Sequence, residues 1–147
     1  MAIAYIAGSL KLNMARPSFP QRRILVVDDE TFVCESVRLL LTFDGHTVEV
    51  ATDPKQALEL YDHGTFDIVF TDFEMPTMKG DELAAAIKAR NPRQPVVMIT
   101  AYAELLRDQG NPLKGVDCVI AKPFLLENLR EAIAKVAPAQ PKTGEIP

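Results

Sequence analysis

Ile24-Leu25-Val26-Val27 runs directly into Asp28-Asp29-Glu30, four apolar and mostly β-branched residues followed by three carboxylates. An apolar run of that length without alternation reads as a parallel strand buried on both faces. Its acids then lie at the C-terminal end, where open α/β sheets place their ligand sites. A second junction of the same kind follows at Ile68-Val69-Phe70-Thr71-Asp72. If the two strands are neighbours, Asp28, Asp29 and Asp72 converge. Two like charges about 4 Å apart repel by roughly 4 kcal/mol at an effective dielectric near 20, so such a cluster takes up a cation or retains a proton. All the side-chain donors are oxygen, which favours a hard ion, Mg²⁺ first.

From Ile24 onward the chain alternates strand and helix, the pattern of a parallel sheet with helices on both faces. Phe32, Val33, Val37, Leu40 and Leu41 recur at helical spacing, and Gly45 closes that helix in the left-handed conformation. Phe32, Phe43 and Leu40 are assigned to the core. Thr47 to Ala51 is the second strand. Asp53-Pro54 is an N-cap followed by proline at the first helical position, with Ala57, Leu58 and Tyr61 on the apolar side and Gly64 at the end. The third strand delivers Asp72. A loop leads to a helix from about Asp81 to Asn91-Pro92, with Ala84-Ala85-Ala86 packed closely on the sheet. Pro95 to Thr100 is the fourth strand. Ala103 to Asp108 is a short helix broken by Gly110-Asn111-Pro112. Val116 to Ala121 is the fifth strand, and Leu126, Leu129, Ile133 and Val136 mark the last helix. The expected architecture is α/β, a doubly wound five-stranded parallel sheet with right-handed crossovers.

The 147 residues suit one domain, residues 22–137, with an N-terminal extension (1–21) and a Pro-rich tail or linker (138–147). Met14-Ala-Arg-Pro reads as an alternative start, and the extension as a loosely held tail. With a formal net charge of −4 and Arg22-Arg23 as the one adjacent basic pair, the chain has no footprint for nucleic acid. No apolar run approaches the length of a bilayer span. Met1 to Ala7 lacks the positive start of a secretory signal, so the expected location is the cytoplasm. Cys34 and Cys118 lie in apolar stretches and read as reduced, buried thiols. His46 and His63, isolated near helix ends, are expected to face solvent.

Polar residues thus close four strands: Asp28/Asp29, Asp72, Thr100 and Lys122. The set suits phosphoryl chemistry. A carboxylate attacks phosphorus, a metal held by neighbouring acids neutralises phosphoryl charge, a lysine adds one fixed cation, and a hydroxyl adds a hydrogen bond. The segments V-V-D-D-E, T-D-F-E-M-P-T-M-K-G, M-I-T-A-Y and A-K-P-F, in that order over roughly residues 23 to 137, resemble the receiver domain of two-component response regulators.

The resemblance implies the flavodoxin-like (βα)5 fold with strand order 2-1-3-4-5. It implies Asp72 as the phospho-acceptor, Asp29 and Asp72 as direct ligands of Mg²⁺ (or Mn²⁺), Asp28 acting directly or through water, and the main-chain carbonyl of Glu74 completing the protein ligands. Lys122 would pair with the acceptor carboxylate or its phosphoryl group, beside a usually cis bond to Pro123. Thr100 and the Ala101 amide would hydrogen-bond the phosphoryl group. The implied partners are a histidine kinase or histidine phosphotransfer protein as donor and a downstream protein as target, with no direct nucleic-acid or membrane contact and a monomer or weak dimer. Slow autodephosphorylation would make the chain a self-limiting switch rather than a conventional enzyme.

Four residues or segments depart from the family pattern. Val119 stands where receivers commonly carry Tyr or Phe, with Tyr102 the one aromatic nearby. Gly110-Asn111-Pro112 interrupts the fourth helix. Leu125 replaces a polar capping residue, and Glu74 places another carboxyl beside the phosphoryl position. These departures leave open a pseudo-receiver that binds partners without phosphorylation. An aspartyl-phosphate phosphohydrolase of the haloacid-dehalogenase type is the other alternative, drawn from Asp72-Phe73-Glu74, although the chain has no room for a substrate cap.

Overall fold

The computed structural model describes residues 19–108 and 113–138. Five strands and five helices alternate: β1 (Arg23–Val27), α1 (Thr31–Phe43), β2 (Thr47–Ala51), α2 (Pro54–Asp62), β3 (Ile68–Asp72), α3 (Gly80–Arg90), β4 (Val96–Thr100), α4 (Ala103–Asp108), β5 (Cys118–Ala121) and α5 (Leu126–Val136). All neighbouring strands pair in parallel, in the order β2-β1-β3-β4-β5. Parallel neighbours need a crossover on one face or the other, and the helices in between supply it.

The alternation of side chains along each strand sorts the core into two layers. Ile24, Val26, Ile68, Phe70, Val97 and Ile99 point to the face covered by α1 and α5, where they meet Cys34, Val37, Leu41 and Leu129. Leu25, Val27, Val69 and Val96 point to the other face and meet Ala57, Leu83, Ala84 and Ile87 of α2 and α3. Every residue of β3 and β4 is buried. Each such aliphatic side chain, fully withdrawn from water, contributes about 1.5–3 kcal/mol.

Local chemistry sets the helix ends. Asp53 accepts a hydrogen bond from the Gln56 amide (2.8 Å) with Pro54 opening α2. Gly45, at φ +96°, ends α1 in a conformation that costs other residues dearly. Leu125 has no side-chain acceptor for capping α5, yet Asn128 Oδ1 accepts from the Leu125 amide at 2.7 Å and fixes the first turn from inside. The sequence boundaries shift slightly: β4 begins at Val96 rather than Pro95, α3 at Gly80 rather than Asp81, and β5 at Cys118 rather than Val116. The Gly110-Asn111-Pro112 break lies outside the described residues; α4 before it is six residues long.

Two expectations fail. Phe32 and Phe43 are not core: they are 82% and 53% exposed, and Leu40 is half-buried. The buried stripe of α1 is Cys34, Val37 and Leu41. That phase turns Phe32 and Leu39 outward. His46 does not face solvent either. It is buried at the α1–β2 junction, where its Nδ1 accepts from the Arg22 amide at 3.0 Å. His63 is exposed. Cys34 and Cys118 are free thiols, the first buried and the second half-buried. No helix among the described residues is long and apolar enough to cross a membrane.

Candidate functional site

Because β1 and β3 are hydrogen-bonded neighbours, their C-terminal ends deliver three acids to one spot. Carboxylate oxygens of Asp28, Asp29 and Asp72 lie within 4.8 Å of one another, a grouping of metal-ligating side chains without a second among the described residues. Asp28 and Asp72 are buried and Asp29 is exposed, so the cluster opens to solvent on one side. Asp28 is held at three points. Its amide donates to the Ala51 carbonyl (3.1 Å), its Oδ1 accepts from the Glu30 amide (2.9 Å), and its carbonyl accepts from the Cys34 thiol (3.2 Å). Burial pushes that thiol's pKa up to about 11, so Cys34 packs and donates rather than reacts.

Lys122 arrives from the far side. Its amide donates to the Thr100 carbonyl (2.9 Å), prolonging the β4–β5 ladder, and its bond to Pro123 is cis. Its Nζ lies 3.2 Å from Asp28 Oδ2 and 3.2 Å from Asp72 Oδ1. Burial works against the charged amine, but Asp28 and Asp72 outweigh it and hold the lysine pKa above its ordinary value. Asp72 is pushed up to about 6, by burial first and by Asp28 next, with Lys122 pulling the other way. Burial also raises Asp28, partly offset by the Glu30 amide and Lys122. One ammonium against three carboxylates leaves the site two charges short of neutral. An all-oxygen donor set with that deficit fits a hard divalent cation.

The remaining sequence candidates border this centre. Thr100 is buried at the end of β4, and its Oγ1 accepts from the Tyr102 amide at 3.0 Å. Ala101 is exposed in the turn that follows. Glu74 is exposed and pairs with Lys79 Nζ at 3.5 Å, while the same ammonium lies 5.4 Å from the Phe73 ring centroid. Tyr102 is about half exposed, and Val119 is half-buried on β5 opposite Met98.

Gly80 belongs to the site although no chemistry points to it in the sequence. A Cβ at Gly80 would lie 2.0 Å from the Asp72 carbonyl oxygen and 3.0 Å from the Phe73 Cα. Its amide donates to the Phe73 carbonyl at 2.8 Å. The acceptor loop therefore closes on itself directly behind Asp72. A glycine opening a helix eight positions after a strand-end acid was the available signal. Thr77 in the same loop stands at φ +71°, a region that β-branched residues rarely adopt.

A sequence profile of the response regulator receiver domain matches residues 24–134. The chain belongs to that family. Among curated relatives, the response regulator MprA of Mycolicibacterium vanbaalenii is 36% identical over 107 residues, covering 73% of this chain and 46% of that protein. The chain thus matches a little under half the length of such relatives. Among solved structures, the Vibrio cholerae chemotaxis protein CheY4 superposes with a TM-score of 0.73 at 28% identity, covering 80% of this chain and 99% of its own. The Thermotoga maritima response regulator TrrA, solved in complex with Mg²⁺-BeF, gives 0.71 at 29% identity, covering 79% and 99%. The receiver fold and its strand order 2-1-3-4-5 are those that the resemblance of the sequence motifs implied.

Proposed function

We propose that this receiver accepts a phosphoryl group on Asp72 from the phosphohistidine of a histidine kinase or histidine phosphotransfer protein, acting in the cytoplasm and passing a conformational change to a protein target. The observation that carries the reading is the convergence of the Asp28, Asp29 and Asp72 carboxylates within 4.8 Å, with Lys122 Nζ 3.2 Å from two of them.

Asp28, Asp29 and Asp72, with the Glu74 main-chain carbonyl, are the groups that would hold Mg²⁺ or Mn²⁺. When bound, the ion neutralises charge on the phosphoryl oxygens. With a pKa near 6, Asp72 is mainly ionised at neutral pH and so available as a nucleophile. Its carboxylate oxygen attacks phosphorus, the phosphorus–nitrogen bond breaks, and the electron pair leaves on the donor imidazole. Lys122, already beside Asp72, is placed to pair with the phosphoryl group. The Thr100 hydroxyl and Ala101 amide are the groups at the end of β4 that would donate to it. Water attack on the acyl phosphate would restore Asp72, which makes the state self-limiting. The functional unit is residues 22–137, acting as a monomer or weak dimer, flanked by the 1–21 extension and the 138–147 tail.

The test is mass spectrometry of the intact chain after incubation with Mg²⁺ and acetyl phosphate. The expected result is a gain of one phosphoryl group, absent in Asp72→Asn and absent with excess chelator. An unmodified, folded wild-type chain overturns the reading. It would favour instead the phosphorylation-independent interaction module to which Val119, in place of an aromatic residue, already points.

A further inference from the structure

The end of the sheet opposite the acid cluster carries a cavity of about 270 Å³. It lies between the segment that follows α1, the C-terminal half of α5 and the chain entering β1. Part of its wall is apolar, supplied by Phe19, Ile133 and Ala134. An apolar cavity of about 150 Å³ is enough for a benzene ring, so this one has room for a ring and a polar substituent.

The polar part of the wall is not balanced. Arg130 and Asp44 neutralise each other, since both Asp44 oxygens accept from the guanidinium at 2.8 Å. The Arg130 guanidinium carbon also lies 5.2 Å from the Phe19 ring centroid. Arg22 has no such partner. Its Nη2 donates to the Ala137 carbonyl (2.8 Å) and the Pro138 carbonyl (3.2 Å), both uncharged, and its Nε is buried without an acceptor. A buried donor in that state is rare and costs stability until an acceptor arrives. His46 is 5% exposed, and its Nδ1 accepts from the Arg22 amide at 3.0 Å. The neutral ring therefore carries its proton on Nε2, which meets no acceptor among the described residues. Two guanidiniums and one carboxylate leave the lining with one positive charge.

We propose that this cavity binds a small apolar monocarboxylate. Its carboxylate accepts from His46 Nε2 and stands beside the Arg22 guanidinium, and its body lies against Ile133 and Ala134. The charge selects this class. A cation would face the unneutralised Arg22, and a dianion would bring one charge out of water without a partner. A neutral ring of the same shape would leave the Arg22 charge and the imidazole N–H as they are. The site is separate from the phosphoryl chemistry, since none of the residues lining it belongs to the acid cluster. A ligand held here bridges α5 and the chain entering β1, and so stabilises the fold by mass action.

Titration of the ¹⁵N-labelled full chain with sodium benzoate, at constant ionic strength, tests this through the amide spectrum. The expected result is saturable shifts at Arg22, His46 and Ala134, with a midpoint of about 1 mM or lower. Benzylamine, the same ring with the opposite charge, should leave those amides unmoved. Ala134→Leu places a larger side chain at the mouth, at an exposed position of α5 that accepts a good helix former. It should weaken benzoate binding at least tenfold while the rest of the spectrum stays folded. Shifts linear in benzoate concentration (an adventitious contact only), shifts confined to other surfaces, equal binding of benzylamine, or wild-type affinity in Ala134→Leu each overturn the site.

Discussion

The ammonium of Lys122 lies 3.2 Å from a carboxylate oxygen of Asp72, across a sheet in which β4 separates their strands. Lys122 is therefore a resident cation in the place where a divalent ion and a phosphoryl group would both act. Its charge repels the first and attracts the second. For a unit charge and a divalent ion about 6 Å apart, even bulk water leaves roughly 1.4 kcal/mol of repulsion. Lys122→Ala is expected to bind Mg²⁺ about tenfold more tightly by titration calorimetry, while its labelling by acetyl phosphate slows. Weaker Mg²⁺ binding in the variant would show that Lys122 orders the acids rather than opposing the ion.

Asp72 supplies a pH test with a defined sign. Its folded pKa, near 6, lies above the ordinary carboxylate value of 3.8. Between those values the folded state binds the additional proton, so acidification through pH 6 relieves a cost that ionised Asp72 imposes at neutral pH. Asp72→Asn is expected to stabilise the metal-free fold at pH 7 by on the order of 2 kcal/mol. That gain should shrink as pH falls through 6 and vanish below about 4. Chemical denaturation at several pH values measures both. A gain that is constant with pH would place the effect outside Asp72 ionisation.

The strands and the acids at their ends were legible because a fully buried apolar run is a local pattern, and ligand-bearing acids must stand where it stops. Asp53-Pro54 and Gly45 were legible for the same reason, since caps are chemistry between near neighbours. The phase of α1 was not. Its sequence, TFVCESVRLLLTF, supports more than one apolar stripe, and only the packing of Cys34, Val37 and Leu41 on the sheet selects the inward one. His46 was misread because its partner, the Arg22 amide, lies 24 residues away. Gly80 carried no visible role because its neighbour, the Asp72 carbonyl, approaches it only once the loop has closed.

That closure makes Gly80 the position where the smallest change should do the most harm. An added methyl would sit 2.0 Å from a backbone oxygen, and backbone cannot rotate aside as a side chain would. Gly80→Ala is expected to cost about 1–3 kcal/mol in stability. It should also abolish labelling of Asp72, because relief of the clash moves the acceptor's own peptide unit. Thermal unfolding and phosphoryl incorporation are the measurements. A variant with wild-type labelling would mean that the loop yields without displacing Asp72.

His46 predicts a pH dependence of opposite sign at the other end of the sheet. Burial lowers its pKa below the usual histidine value, with Asp44 opposing and Arg22 adding to the shift. Its neutral Nδ1 accepts the Arg22 amide, so protonation would replace an acceptor with a donor facing a donor. The unfolded chain takes up this proton first as pH falls through about 6.5. The stability tied to neutral His46 is thus fully present above that value and is lost on acidification toward the lowered folded pKa. His46→Gln, neutral at every pH, should remove this loss and leave the opposing Asp72 contribution uncompensated, so that stability between pH 6.5 and 5 rises on acidification relative to wild type. In Asp72→Asn the histidine contribution stands without the opposing acid, and stability should fall more steeply over the same range. The double variant should be flatter than either single variant, and an unchanged slope in His46→Gln would show that His46 protonates equally in both states.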